Sequence, residues 1–348
     1  MIELLKKAVA IGASDVFIIP GACVSVKVNN VLEPLTENIV LPEHTEKLVR
    51  EMYDLAHRSM DKLDEKGDDD FSFSVTNVSR FRCNAYYQRG SIAAICRIVR
   101  FELPDPVKMH IPDIVMNLAE LRSGMVLVTG PAGSGKSTTL ACIADRINNT
   151  REGHIVTIED PIEYLHRHRK SLVSQREVPN DAATFSRALR AALRQAPDVI
   201  LLGEMRDQET IRTAITAAET GHLLLSSLHT IGAAKTVDRI IDTFPAEQQS
   251  QIRLQISMVL RAVVSQRLVP TEDGGLIPVF EMMTVNPAIQ NMIRDGRTHQ
   301  IDNVIYGGND RTMLSMDTEL QRLYREKRIT REAALLYAAN PEIMSKRI

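Results

Sequence analysis

Residues 125–137 read Met125-Val-Leu-Val-Thr-Gly-Pro-Ala-Gly-Ser-Gly-Lys136-Ser137: an apolar run, a glycine-rich turn, then a lysine and a hydroxyl. The segment Gly130–Ser137 satisfies the pattern GxxxxGK[ST]. It also has the flanks that pattern requires, a buried strand before it (125–128) and a helix-compatible stretch after it (Ser137 to Ile147). A triphosphate is a dense anion. Glycines let successive backbone N–H groups approach it, and a helix N-terminus adds partial positive charge. Lys136 is suited to reach the β- and γ-phosphates as a point charge, and the Ser137 hydroxyl to ligate Mg²⁺. An accidental glycine-rich turn would lack this strand–loop–helix context. The candidate ATP-binding residues are therefore Gly130, Pro131, Ala132, Gly133, Ser134, Gly135, Lys136, Ser137 and Thr138.

Three further segments surround this loop. Val199-Ile-Leu-Leu202 is an apolar strand running into Gly203-Glu204, which puts a carboxylate at a strand's C-terminal end, where an acid meets a metal or an attacking water. Glu204 joins Ser137 as a candidate metal ligand. Ile158-Glu-Asp-Pro-Ile-Glu163 places three carboxylates within five positions, and Pro161 stiffens the turn that aims Glu163. Thr220-Gly-His222 opens another apolar strand that ends in Leu228-His229-Thr230. Alternation along a strand points two histidines seven positions apart to opposite faces. One of His222 and His229 can then face the γ-phosphate, while the other serves an interface or a structural hydrogen bond.

Apolar strands at 125–128, 155–158, 199–202 and 223–225 alternate with longer helical stretches, which describes a parallel sheet covered on both sides. Residues 1–102 read differently, as a small α+β domain. A helix is expected over Glu43 to Asp64, from Leu48, Met52, Leu55 and Met60, and a half-buried strand from Phe71, Phe73 and Val75. Two more strands are expected at 81–87 and 92–99, turning at Arg89-Gly90. Pro104, Pro106 and Pro112 mark a linker over 103–113. The α/β core domain then spans 114–285, and a mainly helical part follows over 286–348.

Composition narrows the function. With 42 Lys+Arg against 44 Asp+Glu, the chain carries no bulk positive charge for coating nucleic acid. The basic cluster His166-Arg-His-Arg-Lys170 reads as a solvated turn. The absence of Trp leaves little material for stacking bases. Cys23, Cys83, Cys96 and Cys142 lie far apart, which argues against a zinc site and fits a reducing cytosol. No apolar run reaches the roughly 18 residues that span a bilayer. Met1 to Gly12 has Ile2, Leu5 and Val9 on one helical face and is too brief for a secretory segment. A soluble cytoplasmic protein is expected.

Taken in order, Gly130–Ser137, Ile158–Glu163, Val199–Glu204 with Met205-Arg-Asp207, and Thr220–Thr230 resemble the Walker A, Asp box, Walker B and His box of the type II/IV secretion ATPase superfamily. The resemblance is closer still to the type IV pilus retraction ATPases. It extends through Asp70-Phe-Ser-Phe73, Arg80-Phe-Arg-Cys-Asn-Ala85, Ser174-Gln-Arg-Glu-Val178, Ala188-Leu-Arg190, Leu193-Arg194, Phe244-Pro-Ala-Glu247 and Ala288-Ile-Gln-Asn-Met-Ile-Arg294, covering about residues 3 to 340. It implies a homohexameric ring of RecA-like P-loop domains, each with a PAS-like N-terminal domain and a helical tail. ATP and Mg²⁺ are the implied cofactors, and hydrolysis turns the inner-membrane base of a pilus through its platform protein. By this resemblance Glu163 and Glu204 are the two catalytic acids, with the question of which one orders the water left open. Arg82 and Arg97 are implied to reach nucleotide, with Arg80 beside them. Arg190 and Arg194, four apart on one helix face, are candidates to stabilise transition-state charge from the core domain.

The chain also departs from the family pattern. It has Val16-Phe17 where Leu-His is usual, Gln195 in place of an acid, Ser226-Ser227 in place of Gly-Thr, and Gln290 and Asp295 in place of Arg and Glu. A pilus-assembly or type II secretion ATPase is the alternative within the superfamily. Such chains are typically longer and often carry a tetracysteine insertion. A RecA-like nucleic-acid translocase is the alternative outside it, and the charge balance disfavours it. The intact Lys136, Glu163 and Glu204 speak against a non-hydrolysing partner.

Overall fold

The structure is a computed structural model that describes residues 1–28, 31–99, 103–307 and 312–348. The chain divides into two compact units, Met1–Glu102 with Glu163–Leu165, and Leu103–Ile162 with His166–Ile348. The domain boundary expected at 102 falls on residues outside the described ones.

The N-terminal unit is built on six antiparallel strands: β1 (Asp15–Ile18), β2 (Cys23–Val28), β3 (Val31–Ile39), β4 (Asp68–Val75), β5 (Ser79–Gln88) and β6 (Ser91–Val99), in the order β3-β2-β1-β6-β5-β4. The alternation in Phe71-Ser-Phe73-Ser-Val75 sends the phenylalanines to the core face. There Phe73 sits opposite Phe81 with ring centroids 5.4 Å apart, and Tyr53 packs on Phe71 at 4.4 Å. Aromatic pairs of this kind each add roughly 0.5–1.5 kcal/mol beyond the area they bury. Asp69, fully buried, is held by Lys62 at 2.6 Å and Arg58 at 3.3 Å. The single helix expected over 43–64 is two, Pro42–Leu55 and Asp61–Lys66. His57 between them takes a left-handed φ of +52°, a conformation no α-helix can run through. The buried stripe of the first helix is accordingly Thr45, Val49, Met52 and Tyr53.

Residues 103–112 form neither strand nor helix. Beyond them seven strands form the second sheet: β7 (Gly124–Thr129), β8 (Gly153–Glu159), β9 (Ser171–Glu177), β10 (Val199–Leu202), β11 (Leu223–Leu228), β12 (Leu260–Pro270) and β13 (Leu276–Thr284). Their order is β13-β12-β7-β11-β10-β8-β9, parallel throughout except for the β12–β13 hairpin. Every residue of β7, β10 and β11 is buried, as strands covered on both faces must be. One face packs Met125, Leu127, Ile200 and Leu224 against helices that include Gln208–Glu219 and Ala233–Asp242. The other packs Val126, Val128 and Leu225 against Ile143 and Ile147 of the helix Lys136–Thr150. Ile289, Ile293, Ile301 and Ile305 from the C-terminal helices complete the first face. Arg267 on β12 donates from Nη1 to the carbonyl of Tyr337, 3.0 Å away in a later helix. No helix among the described residues is long and apolar enough to cross a membrane.

Candidate nucleotide site

Parallel strands bring their C-terminal ends to one edge of the sheet, and in open α/β sheets that edge is where ligands bind. The turn after β7 is shaped by three glycines with positive φ: Gly130 (+145°), Gly133 (+75°) and Gly135 (+87°). Gly130 also has no room for a side chain, and at Gly135 one would press on the end of the Gln266 side chain. A Cβ on Gly130 would stand 2.2 Å from the Gln266 carbonyl oxygen, and one on Gly135 2.9 Å from Gln266 Nε2. Gln266, buried on β12, also accepts at Oε1 from the Thr139 hydroxyl at 2.7 Å, tying the loop and its helix to the next strand. Sequence reasoning missed Gln266. Its one signal is an amide side chain within the apolar run of β12.

Lys136 is buried, and its Nζ donates to the carbonyls of Gly130 (3.0 Å) and Pro131 (2.9 Å), so the ammonium lies folded across the loop. The buried Ser134 hydroxyl has no hydrogen-bond partner among the described residues. A lysine resting on weak carbonyl acceptors and an orphaned hydroxyl beside it suit phosphate oxygens, which would accept from both. Ser137 and Thr138 are half-buried at the first turn of the helix, and Pro131, Ala132 and Gly133 are exposed at the rim. The donor set fits a nucleotide triphosphate with a hard cation on Ser137 and Glu204.

The Glu204 corner lies along the same edge. The Gly203 N–H donates to Ile158 O at 2.8 Å, and Ser227 Oγ donates to Gly203 O at 2.7 Å, so the turn after β10 is held by both neighbouring strands. Glu204, with 13% of its side chain exposed, is 2.6 Å from Arg206 Nη2 and 3.4 Å from His229 Nε2. This corner opens on a cavity of about 460 Å³ lined by Glu204, Arg206, His229, Thr230 and Arg239 among others. Glu163 is exposed, one residue beyond the buried Ile162. Glu159, at the end of β8, accepts at Oε1 from the Thr157 hydroxyl at 2.6 Å.

Of the two histidines, His222 makes the contacts expected of the structural one. Its carbonyl accepts from Gly124 N at the start of β7, and its Nδ1 lies 2.9 Å from Ala217 O, so it serves a structural hydrogen bond. At about 3.3 Å per residue, β11 carries His229 roughly 20 Å away from it, along the strand's full length. Arg190 lies in the helix Phe185–Ala192 and is ion-paired with Glu209; Leu193 ends that helix with right-handed helical angles, and Arg194 follows in a turn whose N–H donates to Ala191 O at 3.0 Å. In the N-terminal unit Arg82 and Arg97 are directly opposed across β5 and β6, and Arg97 Nε is held by Asp15 Oδ1 at 3.0 Å.

Residues 107–344 match the family of type II/IV secretion system proteins. The chain belongs to that family. Among related secretion-family proteins, it is 50% identical over 277 residues to a twitching motility protein of Neisseria gonorrhoeae, covering 79% of this chain and 74% of that one. It is 42% identical over 342 residues to the type IV pilus retraction ATPase PilT of Pseudomonas aeruginosa, covering 98% of each. The crystal structure of the pilus retraction motor PilT with bound ADP superposes with a TM-score of 0.89 at 43% identity, over 99% of both chains.

Proposed function

We propose that this secretion-family protein hydrolyses ATP as a homohexameric ring and uses the reaction to retract type IV pili. It would act on the cytoplasmic side, against the platform protein at the pilus base in the inner membrane. The observation that carries the reading is the loop itself, with Lys136 folded over two carbonyls beside an orphaned serine hydroxyl. The full-length likeness to a pilus retraction ATPase supports the mechanical half.

In this reading the loop amides and Lys136 bind the β- and γ-phosphates, the lysine exchanging its carbonyl acceptors for phosphate oxygens. A magnesium ion, held through Ser137 and Glu204, would supply positive charge to those oxygens. Glu204 and Glu163 provide the carboxylates that orient the attacking water, and His229 steadies Glu204 from the neighbouring strand. Arg82 and Arg97, with Arg190 and Arg194 on the core surface, supply cations to nucleotide in the assembled ring. A strain lacking the gene tests the direction of work: excess surface pili are expected, and bald cells would instead indicate an assembly ATPase.

A further inference from the structure

The segment that presents Glu163 has a problem of backbone chemistry. Strands β8 and β9 are parallel neighbours in register up to Glu159 and Glu177, and the last ladder bond runs from Val178 N to Glu159 O at 2.8 Å. Beyond that point the ladder has nothing to continue with. Pro161 on one strand and Pro179 on the other have no N–H to donate. After Pro161 the next amide able to anchor the turn is that of Ile162, one residue before Glu163.

A side chain takes over where the ladder stops. Glu177, 3% exposed, accepts the Ile162 N–H at Oε2 (3.2 Å) and the Asn180 amide at Oε1 (2.6 Å). Its own backbone N–H donates to Asp181 Oδ2 at 2.7 Å, which fixes the residue that carries the carboxylate. The Ile162 side chain is buried as well, so the peptide before Glu163 is held by both its backbone and its side chain. Hydrogen bonds to a carboxylate are about twice as strong as neutral ones, and a buried acceptor has no water to exchange with.

We infer that Glu177 is a positioning residue for Glu163: its carboxylate clamps the Ile162 peptide and so sets where the Glu163 side chain is presented. The inference rests on Glu163 acting in ATP hydrolysis, as proposed above. Glu177 does not itself touch nucleotide, so its loss lowers turnover and leaves nucleotide affinity alone. An amide at 177 would turn an N–H toward one of two donors, whereas a carboxylate accepts from both.

The test is steady-state ATP hydrolysis by the full chain carrying Glu177→Ala or Glu177→Gln, each alone and combined with Glu163→Gln. Glu177→Ala is expected to lower kcat about tenfold with the KM for ATP unchanged within about twofold, since misplacing a reacting group by a fraction of an ångström costs rate rather than binding. Glu177→Gln should lose about threefold, because it retains one of the two acceptors. In the Glu163→Gln background either change should cost less than about twofold, as residues acting as one unit are not additive. Losses that multiply in the double variants, a raised KM with kcat intact, or full activity in Glu163→Gln would each overturn the inference. Should Glu177→Ala fail to fold by circular dichroism, Glu177→Gln and Asn180→Ala, which removes the side-chain amide donor and keeps the Ile162 N–H, carry the same comparison. A wild-type chain that splits no ATP would remove the functional reading. A wild-type chain that does, with multiplying losses, removes this inference alone.

Discussion

The phosphate loop and the Glu204 corner stand along one edge of the same sheet, but they are held by different means. The loop is fixed mainly by main-chain geometry: three glycines of positive φ, and a neighbouring strand whose backbone leaves Gly130 no room for a side chain. The corner's backbone is tied to both neighbouring strands, but its acid is placed by side chains, Glu204 between Arg206 and His229, beside an open cavity. Backbone geometry is rigid and has one arrangement. Ion pairs at a half-open surface exchange partners at little cost. In the proposed reading, gripping the nucleotide and responding to it thus fall to two differently built regions.

That contrast can be broken most directly at Lys136, the cation of the loop. Lys136→Ala should weaken ATP binding on the order of a thousandfold, since no other cation replaces it at the phosphates; titration with a fluorescent nucleotide checks this, and retained affinity would remove the lysine's role. Glu204→Gln should separate the regions, with binding kept and turnover reduced roughly a hundredfold, the size of losing one well-placed group in a transition state. Isothermal titration alongside a phosphate-release assay measures both.

The smallest effect sharpens the contrast through stability. Glu281 on β13 is buried and accepts the N–H of Ala233, the first residue of the helix that follows the His229 turn. Burial, with Asp302 and Asp317 nearby, pushes its carboxyl from the ordinary 4.5 up to about 7, against the opposing pull of the Ala233 N–H and Arg267. The folded chain therefore keeps this proton to higher pH than the unfolded chain, so its contribution is full below about pH 4.5, falls as pH rises toward 7, and is constant above. Glu281→Gln should remove that dependence, gaining up to roughly 3 kcal/mol on the wild type between pH 4.5 and pH 8. Urea unfolding at both pH values tests it, and an unchanged difference would place the carboxyl at its ordinary pKa.

How much of this was legible in the sequence follows from the range of the forces involved. The strand expected at 125–128 spans 124–129, and the helix expected from Ser137 to Ile147 spans 136–150, because apolar runs and glycines act over a few residues. The break at His57 was not legible, since hydrophobic period carries no record of one left-handed residue. For the two histidines, alternation along a strand does not say that its ends separate them, and His222 lies before β11 while His229 lies after it. Gln266 reaches the loop from 127 positions beyond Thr139, a distance over which local pattern says nothing.

Gln266 and Arg267 are consecutive residues on β12. The first is seated against the glycine turn and the second is bonded to Tyr337 near the chain's end. Only one peptide unit separates these two attachments, with no pliable stretch between them. Displacing the last helices along the strand would therefore shift the phosphate-binding turn by a similar amount, as a short stiff crank does.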